Sequence, residues 1–182
     1  MPIASPQTHR TVPEDLALYG GCPIRARYLP YGHHTIDEED RGAVEEVLRS
    51  DWVTSGPRVA EFEAAVAAYV GAAYAVALSS GTAALHAAMF AAGVGEGDEV
   101  ITAPLTFCAT ANCVLFQGGQ PVFADVEETT LTLDPQRIQQ RITPKTKAVI
   151  PVDYAGHPAD LKTIRALTKR HGLLMIEDAC HA

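Results

Sequence analysis

The chain has 182 residues, 47% of them hydrophobic, with 14 Lys and Arg against 22 Asp and Glu for a formal net charge of -8. The length is enough for a domain with a real core, and the acidic balance argues against nucleic acid or an anionic membrane surface as the main partner. No apolar run approaches the roughly 20 residues that span a bilayer.

The opening "MPIASPQTHRTVPEDLALYGG" has no apolar stretch of the kind a secretory leader needs, so a cytoplasmic protein is expected. Its Pro and Gly content makes residues 1–27 a loose arm. "TIDE" then offers a capping box between Thr35 and Glu38. Val44, Val47 and Leu48 mark one face of the helix that follows. A Gly-Pro turn in "SDWVTSGPR" ends it. In "VAEFEAAVAAYVG", Phe62, Ala65, Val66, Tyr69 and Val70 share one helical face, and Gly71 stops the helix.

From there short apolar runs alternate with helical patterns. "YAVALSS", "DEVITAP", "QPVFADV", "KAVIPVDYAG" and "LLMIEDA" are expected strands. Between them, "GTAALHAAMFAAG" places Leu85, Ala88, Met89 and Ala92 on one face, and "CATANCVLFQGG" forms a shorter helix. "DPQRIQQRI" opens with Asp134 as N-cap and Pro135 in the first helical position. "PADLKTIRALTKRHG" aligns Leu161, Ile164 and Leu167, and Gly172 closes it. Continuous apolar strands joined by helices predict an α/β fold, a mostly parallel sheet with helices on both faces. Cys22, Cys108, Cys113 and Cys180 contain no Cys-x-x-Cys pair, so reduced and mostly buried thiols are expected.

Ligands of such sheets bind outside the carboxyl ends of the strands. "LSSGTAAL" runs from an expected strand through small residues into a helix. Gly81 permits a tight turn, the first amides of the helix lack internal partners, and Ser80 and Thr82 add hydroxyls. The same residues suit a phosphate cup or simple helix capping by Ser80. The stretch is not a P-loop, and "GVGEGDE" follows a helix, so it is no dinucleotide fingerprint. Phe107 is placed either to lie against a planar ligand or to pack in the core. Asp178 ends a buried strand, where a carboxylate is costly unless paired. A protonated ring nitrogen, an Arg or the cap of a following helix would each serve. His181 is near enough in sequence to reach the same ligand or to be structural. Cys180 and His181 are adjacent and diverge, which disfavours zinc. No Gly-x-Ser-x-Gly elbow marks a serine hydrolase.

A phosphate cup, an aromatic platform and a strand-end carboxylate together suit pyridoxal phosphate. From "TSGPRVAEFE" to "IEDACHA" the sequence resembles the DegT/StrS family of sugar-nucleotide aminotransferases. "PYGHHTIDEED", "SSGTAALHAAMFAAGVGEGDEVITAPLTFCATAN", "PVFADVE" and "ITPKTKAVIPVDYAGHPADL" look most like the branch that aminates UDP-4-keto-6-deoxy-N-acetyl-hexosamines for pseudaminic acid.

The resemblance implies a three-layer fold type I large domain, present in part as residues 28–182, with the C-terminal small domain absent. It implies that Ser80, Gly81 and Thr82 hold the cofactor phosphate, Phe107 stacks on the ring, Asp178 pairs with the ring nitrogen and His181 contacts the phenolic oxygen. Thr54 and Arg58 would belong to the pocket for a nucleotide-sugar substrate. The amino donor would be an amino acid, glutamate for preference, and the enzyme a homodimer. The family's Schiff-base lysine has no counterpart in Lys145, Lys147, Lys162 or Lys169, so this chain alone is expected to be inactive. A non-catalytic remnant or binding protein of the same fold, and a related cofactor-dependent sugar dehydratase, are the alternatives.

Overall fold

A computed structural model describes residues 16–30 and 32–182; the first 15 residues of the expected arm, and residue 31, lie outside the described residues. Two compact units are present, divided between Pro57 and Arg58. In the first, a 3-10 turn spans Ala17–Tyr19 and helix α1 spans Glu38–Arg49. The cap of α1 is not the expected Thr35–Glu38 pair. Asp37 accepts from the amides of Glu39 and Asp40, and Asp40 returns a bond to the Asp37 amide. Two overlapping capping boxes compete here, and the carboxylate closer to the first turn wins because it also meets the positive end of the helix dipole. Val44 and Leu48 share a face as expected, yet that face is open to solvent.

The second unit is built around four parallel strands. In chain order the elements are α2 (Pro57–Val70), α3 (Gly81–Ala91), β1 (Glu99–Thr102), α4 (Ala109–Phe116), β2 (Gln120–Phe123), α5 (Pro135–Arg141), β3 (Thr146–Ile150), α6 (Leu161–His171) and β4 (Leu174–Met175). The sheet order is β2-β1-β3-β4. Glu99 to Thr102 lie opposite Gln120 to Phe123, and Val149 lies opposite Met175.

Successive residues of each strand point to opposite faces, and the core divides accordingly. Val100, Ala148 and Ile150 join Leu85 and Met89 of α3 and Cys113 and Val114 of α4. Ile101 and Val149 join Ile138 of α5 and Ile164 and Leu167 of α6 on the other side. Each fully buried side chain of this size contributes about 1.5–3 kcal/mol. Asp134 caps α5 by accepting from Gln136, and Gly172 closes α6 in the left-handed conformation, both as expected.

Two further expectations need correction. "YAVALSS" forms no ladder among the described residues. An extended segment becomes a strand only when its amides and carbonyls find a neighbour, and here the Ala77 amide is instead held by Glu63 at 2.8 Å. Tyr74 and Val76 stand 89% and 74% exposed, so apolar content alone overstated this element. The cysteines are also not mostly buried: Cys113 is, whereas Cys22, Cys108 and Cys180 are exposed. None is in a disulfide. Among the described residues no helix is long and apolar enough to cross a membrane.

Candidate active site

Asp178 does not end β4 itself but follows it by three residues, in a single parallel bridge with Val152, and is 6% exposed. Its position is stitched into the sheet: its amide donates to the Pro151 carbonyl at 2.9 Å, and its carbonyl accepts from the Asp153 amide at 3.1 Å. Oδ2 accepts from the hydroxyl of Thr110 at 2.7 Å, and Oδ1 accepts from the Cys180 amide at 3.4 Å. No cation pairs with this carboxylate among the described residues, so the arginine expected as one possible partner is not there. Glu177, its neighbour in sequence, is held above the usual carboxylate range by burial and by the nearby carboxyl of Asp153.

The amino end of α3 meets the same place. A Cβ built on Gly81 would stand 3.1 Å from Cys180 Sγ. Gly81 and Asp178 therefore share one rim of the fold, as a cofactor spanning them requires. Ser80 caps α3, its hydroxyl accepting from the Ala83 amide at 3.1 Å. The amides of Gly81 and Thr82 have no acceptor among the described residues, and helix geometry directs them outward. Exposed amides at a helix start are suited to a phosphate.

Phe107 is 72% exposed, which removes core packing as its role. It sits between Thr106, whose hydroxyl is 2.7 Å from that of Thr110, and Cys108 at the start of α4. His181 accepts from the Ala155 amide through Nδ1 at 3.3 Å, and its ring is tilted against Tyr154. The turn Tyr154–Gly156 approaches so closely that a Cβ on Gly156 would fall 2.8 Å from the His181 carbonyl oxygen. Thr54 lies on the exposed 50–56 loop of the first unit. Arg58, in the first turn of α2, bonds to Glu61 at 2.9 Å.

The four lysines are elsewhere. Lys145 accepts from the amide of Glu99, the first residue of β1, through its carbonyl. Lys147 bonds to the Gly93 carbonyl and to Asp98, just before β1. Both mark the edge where strands begin. Lys162 and Lys169 lie on α6. The sequence places Thr106 and the 154–156 turn at strand ends without giving them a role, and Thr110 goes unnoticed there. A signal for Thr110 existed: with Cys113 and Val114 it forms an i, i+3, i+4 face, so it is a hydroxyl on a buried stripe.

Residues 34–182 match the DegT/DnrJ/EryC1/StrS aminotransferase family. The chain belongs to that family. It is 49% identical over 158 residues to the spore coat polysaccharide biosynthesis protein SpsC of Bacillus subtilis (strain 168), covering 87% of this chain and 41% of that protein. DesV of S. venezuelae, solved with a ketimine intermediate, superposes with a TM-score of 0.77 at 42% identity, over 79% of this chain and 39% of its own. NtdA of Bacillus subtilis, solved with its bound cofactor PMP, does so with a TM-score of 0.74 at 40% identity, over 77% and 32%. The chain thus spans about two fifths of the length of SpsC. The parallel sheet flanked by helices is that of the fold type I aminotransferases, as expected.

The carboxylate acts on the thiols around it. The Cys180 thiol is raised from 9.0 to about 11, first by its hydrogen bond to Asp178 and then by burial. Burial, ahead of the charge of Asp178, raises Cys113 to about 11 as well. At pH 8 this lowers the thiolate fraction of Cys180 about 100-fold. Cys180 should therefore react with a disulfide reagent more slowly than Cys22, which is likewise exposed, and Asp178→Asn should speed it. Peptide-resolved labelling rates measure this. Equal rates at Cys180 and Cys22 in the unaltered chain would contradict the thiol–carboxylate contact.

Proposed function

We propose that this rim holds pyridoxal phosphate and that the chain is the cofactor-binding part of a sugar-nucleotide aminotransferase. One observation carries the reading. The start of α3, with open amides, adjoins the turn that follows the last strand, where a buried carboxylate has no cation partner among the described residues. The donor set fits the group: amides for a phosphate, an anion for a ring NH+, and an exposed aromatic for a ring face.

When bound, the cofactor supplies an electron sink for the carbanion next to the transferred nitrogen. The chain's own residues do the rest. Gly81 and Thr82 anchor the phosphate through their amides, with the Thr82 hydroxyl added, while Ser80 keeps the first turn in place. Asp178 holds the proton on the ring nitrogen. Phe107 covers one ring face. His181, fixed by Ala155, faces the phenolic oxygen. Arg58, on α2, is assigned to the sugar-nucleotide pocket from the sequence resemblance.

The substrate we favour is a UDP-linked 4-keto-6-deoxy-N-acetyl-hexosamine aminated at C4 in pseudaminic acid synthesis, with glutamate as donor. The sequence resemblance supports that branch, and the polysaccharide role in the name of SpsC supports a sugar pathway. Residues 28–182 are the N-terminal part of the large domain behind the 1–27 arm, in a cytoplasmic homodimer. The Schiff-base nucleophile is not among the four lysines, two of which mark the opposite edge.

The test is a fluorescence titration with pyridoxamine 5'-phosphate, which needs no lysine, beside borohydride treatment with pyridoxal phosphate. Saturable binding and no labelled lysine are expected. Absence of binding overturns the cofactor site, and a labelled peptide containing Lys145, Lys147, Lys162 or Lys169 together with turnover overturns the assignment of the nucleophile.

A further inference from the structure

Thr110 is fully buried, and its hydroxyl is 2.7 Å from Asp178 Oδ2. A threonine hydroxyl has a single proton. Once that proton is given to the carboxylate, the 2.7 Å contact between Thr110 and Thr106 must use the proton of Thr106. The chain of donors therefore runs one way, from Thr106 to Thr110 to Asp178. The Thr110 amide meanwhile donates to the Phe107 carbonyl at 3.1 Å. Thr110 is thus tied three times: to the acid, to the residue before Phe107 and to Phe107 itself.

We propose that Thr110, supported by Thr106, is a positioning residue that holds the Asp178 carboxylate and the Phe107 loop in one fixed relation, so that a bound pyridinium meets its anion and its aromatic cover together. The proposal rests on the cofactor reading above. With Oδ2 held by Thr110 and Oδ1 by the Cys180 amide, the carboxylate cannot rotate freely. A flat ring needs both partners placed at once, since an anion displaced from the ring plane loses the directional part of a charge-assisted hydrogen bond. A merely structural threonine would instead affect stability and nothing at the ring. Thr168 provides that comparison: it is 2% exposed and donates to the Arg165 carbonyl within α6.

The experiment uses the chain with pyridoxamine 5'-phosphate labelled with 15N in the ring, reading the dissociation constant and the ring-nitrogen resonance, with circular dichroism as the check on folding. Thr110→Val, nearly equal in volume, is expected to weaken binding about tenfold and to move the resonance toward the unprotonated value. Thr110→Ser should retain both readouts, and Thr168→Val should lower stability while moving neither. Thr106→Val should move the resonance in the same direction by less.

A folded Thr110→Val with the original affinity and resonance overturns the proposal. So does equal impairment in the valine and serine variants, because the loss would then follow packing and not the hydroxyl. Should Thr110→Val fail to fold, Thr106→Val decides, and an unmoved resonance there overturns the proposal. Failure of the unaltered chain to bind the probe overturns the cofactor reading and this proposal with it, whereas failure confined to the variants' response overturns this proposal alone.

Discussion

Asp178→Asn should weaken binding of pyridoxamine 5'-phosphate by about 100-fold while leaving the fold intact. The argument is one of charge. The carboxylate is buried and its partners among the described residues are a hydroxyl, an amide and a thiol, none of them a cation. A protonated ring nitrogen would be its natural counter-charge, and in a partly dehydrated site that pairing is stronger than in water. Asparagine keeps the shape and can still accept from Thr110 through its amide oxygen, so the expected stability cost is only about 1 kcal/mol. It offers no negative charge to the ring. A titration monitored by cofactor fluorescence, beside thermal unfolding of both proteins, separates the two effects. Equal affinities for the two proteins would mean that Asp178 does not face the ring, and the cofactor site would have to be moved.

How much of this site could be read beforehand depends on whether a signal is local. Asp134 with Pro135, and the Leu161, Ile164 and Leu167 stripe closed by Gly172, are marked within a few residues, and the helices form where expected. The cap of α1 is local too, but Thr35–Glu38 and Asp37–Asp40 overlap, and only geometry separates them. "YAVALSS" has the composition of a strand and lacks a ladder, because pairing depends on a neighbour that composition does not reveal. Phe107 and Asp178 each carried competing readings. Exposure removed core packing for the first, and the absence of a cation partner among the described residues argues against the arginine pair for the second. Ser80 does cap its helix, as one of its two readings expects. The Thr110–Asp178 contact joins residues 68 apart in sequence, a distance over which periodicity carries no information.

The juxtaposition of Gly81 with Cys180 can be tested directly, because it predicts a disulfide. A Cβ at position 81 would lie 3.1 Å from Cys180 Sγ. In a disulfide the sulfurs are about 2.0 Å apart and the two Cβ atoms about 3.8 Å, so a Cβ sees the far sulfur at an intermediate distance of this size. Gly81→Cys should therefore cross-link to Cys180 under mild oxidation. The bridge would close a loop of about 100 residues, and loop entropy then predicts up to about 4.7 kcal/mol of added stability, less any strain. The raised Cys180 thiol makes the reaction slow near neutrality, so a mildly alkaline oxidant is needed. Peptide mapping must distinguish the 81–180 bridge from pairs with exposed Cys22 or Cys108. Oxidised protein should unfold at higher temperature and bind pyridoxamine 5'-phosphate poorly, since sulfur would crowd the amides meant for its phosphate. Reduction should reverse both changes. A variant that yields only other pairings would place the start of α3 away from the end of the last strand, and the shared rim on which the cofactor reading depends would not exist.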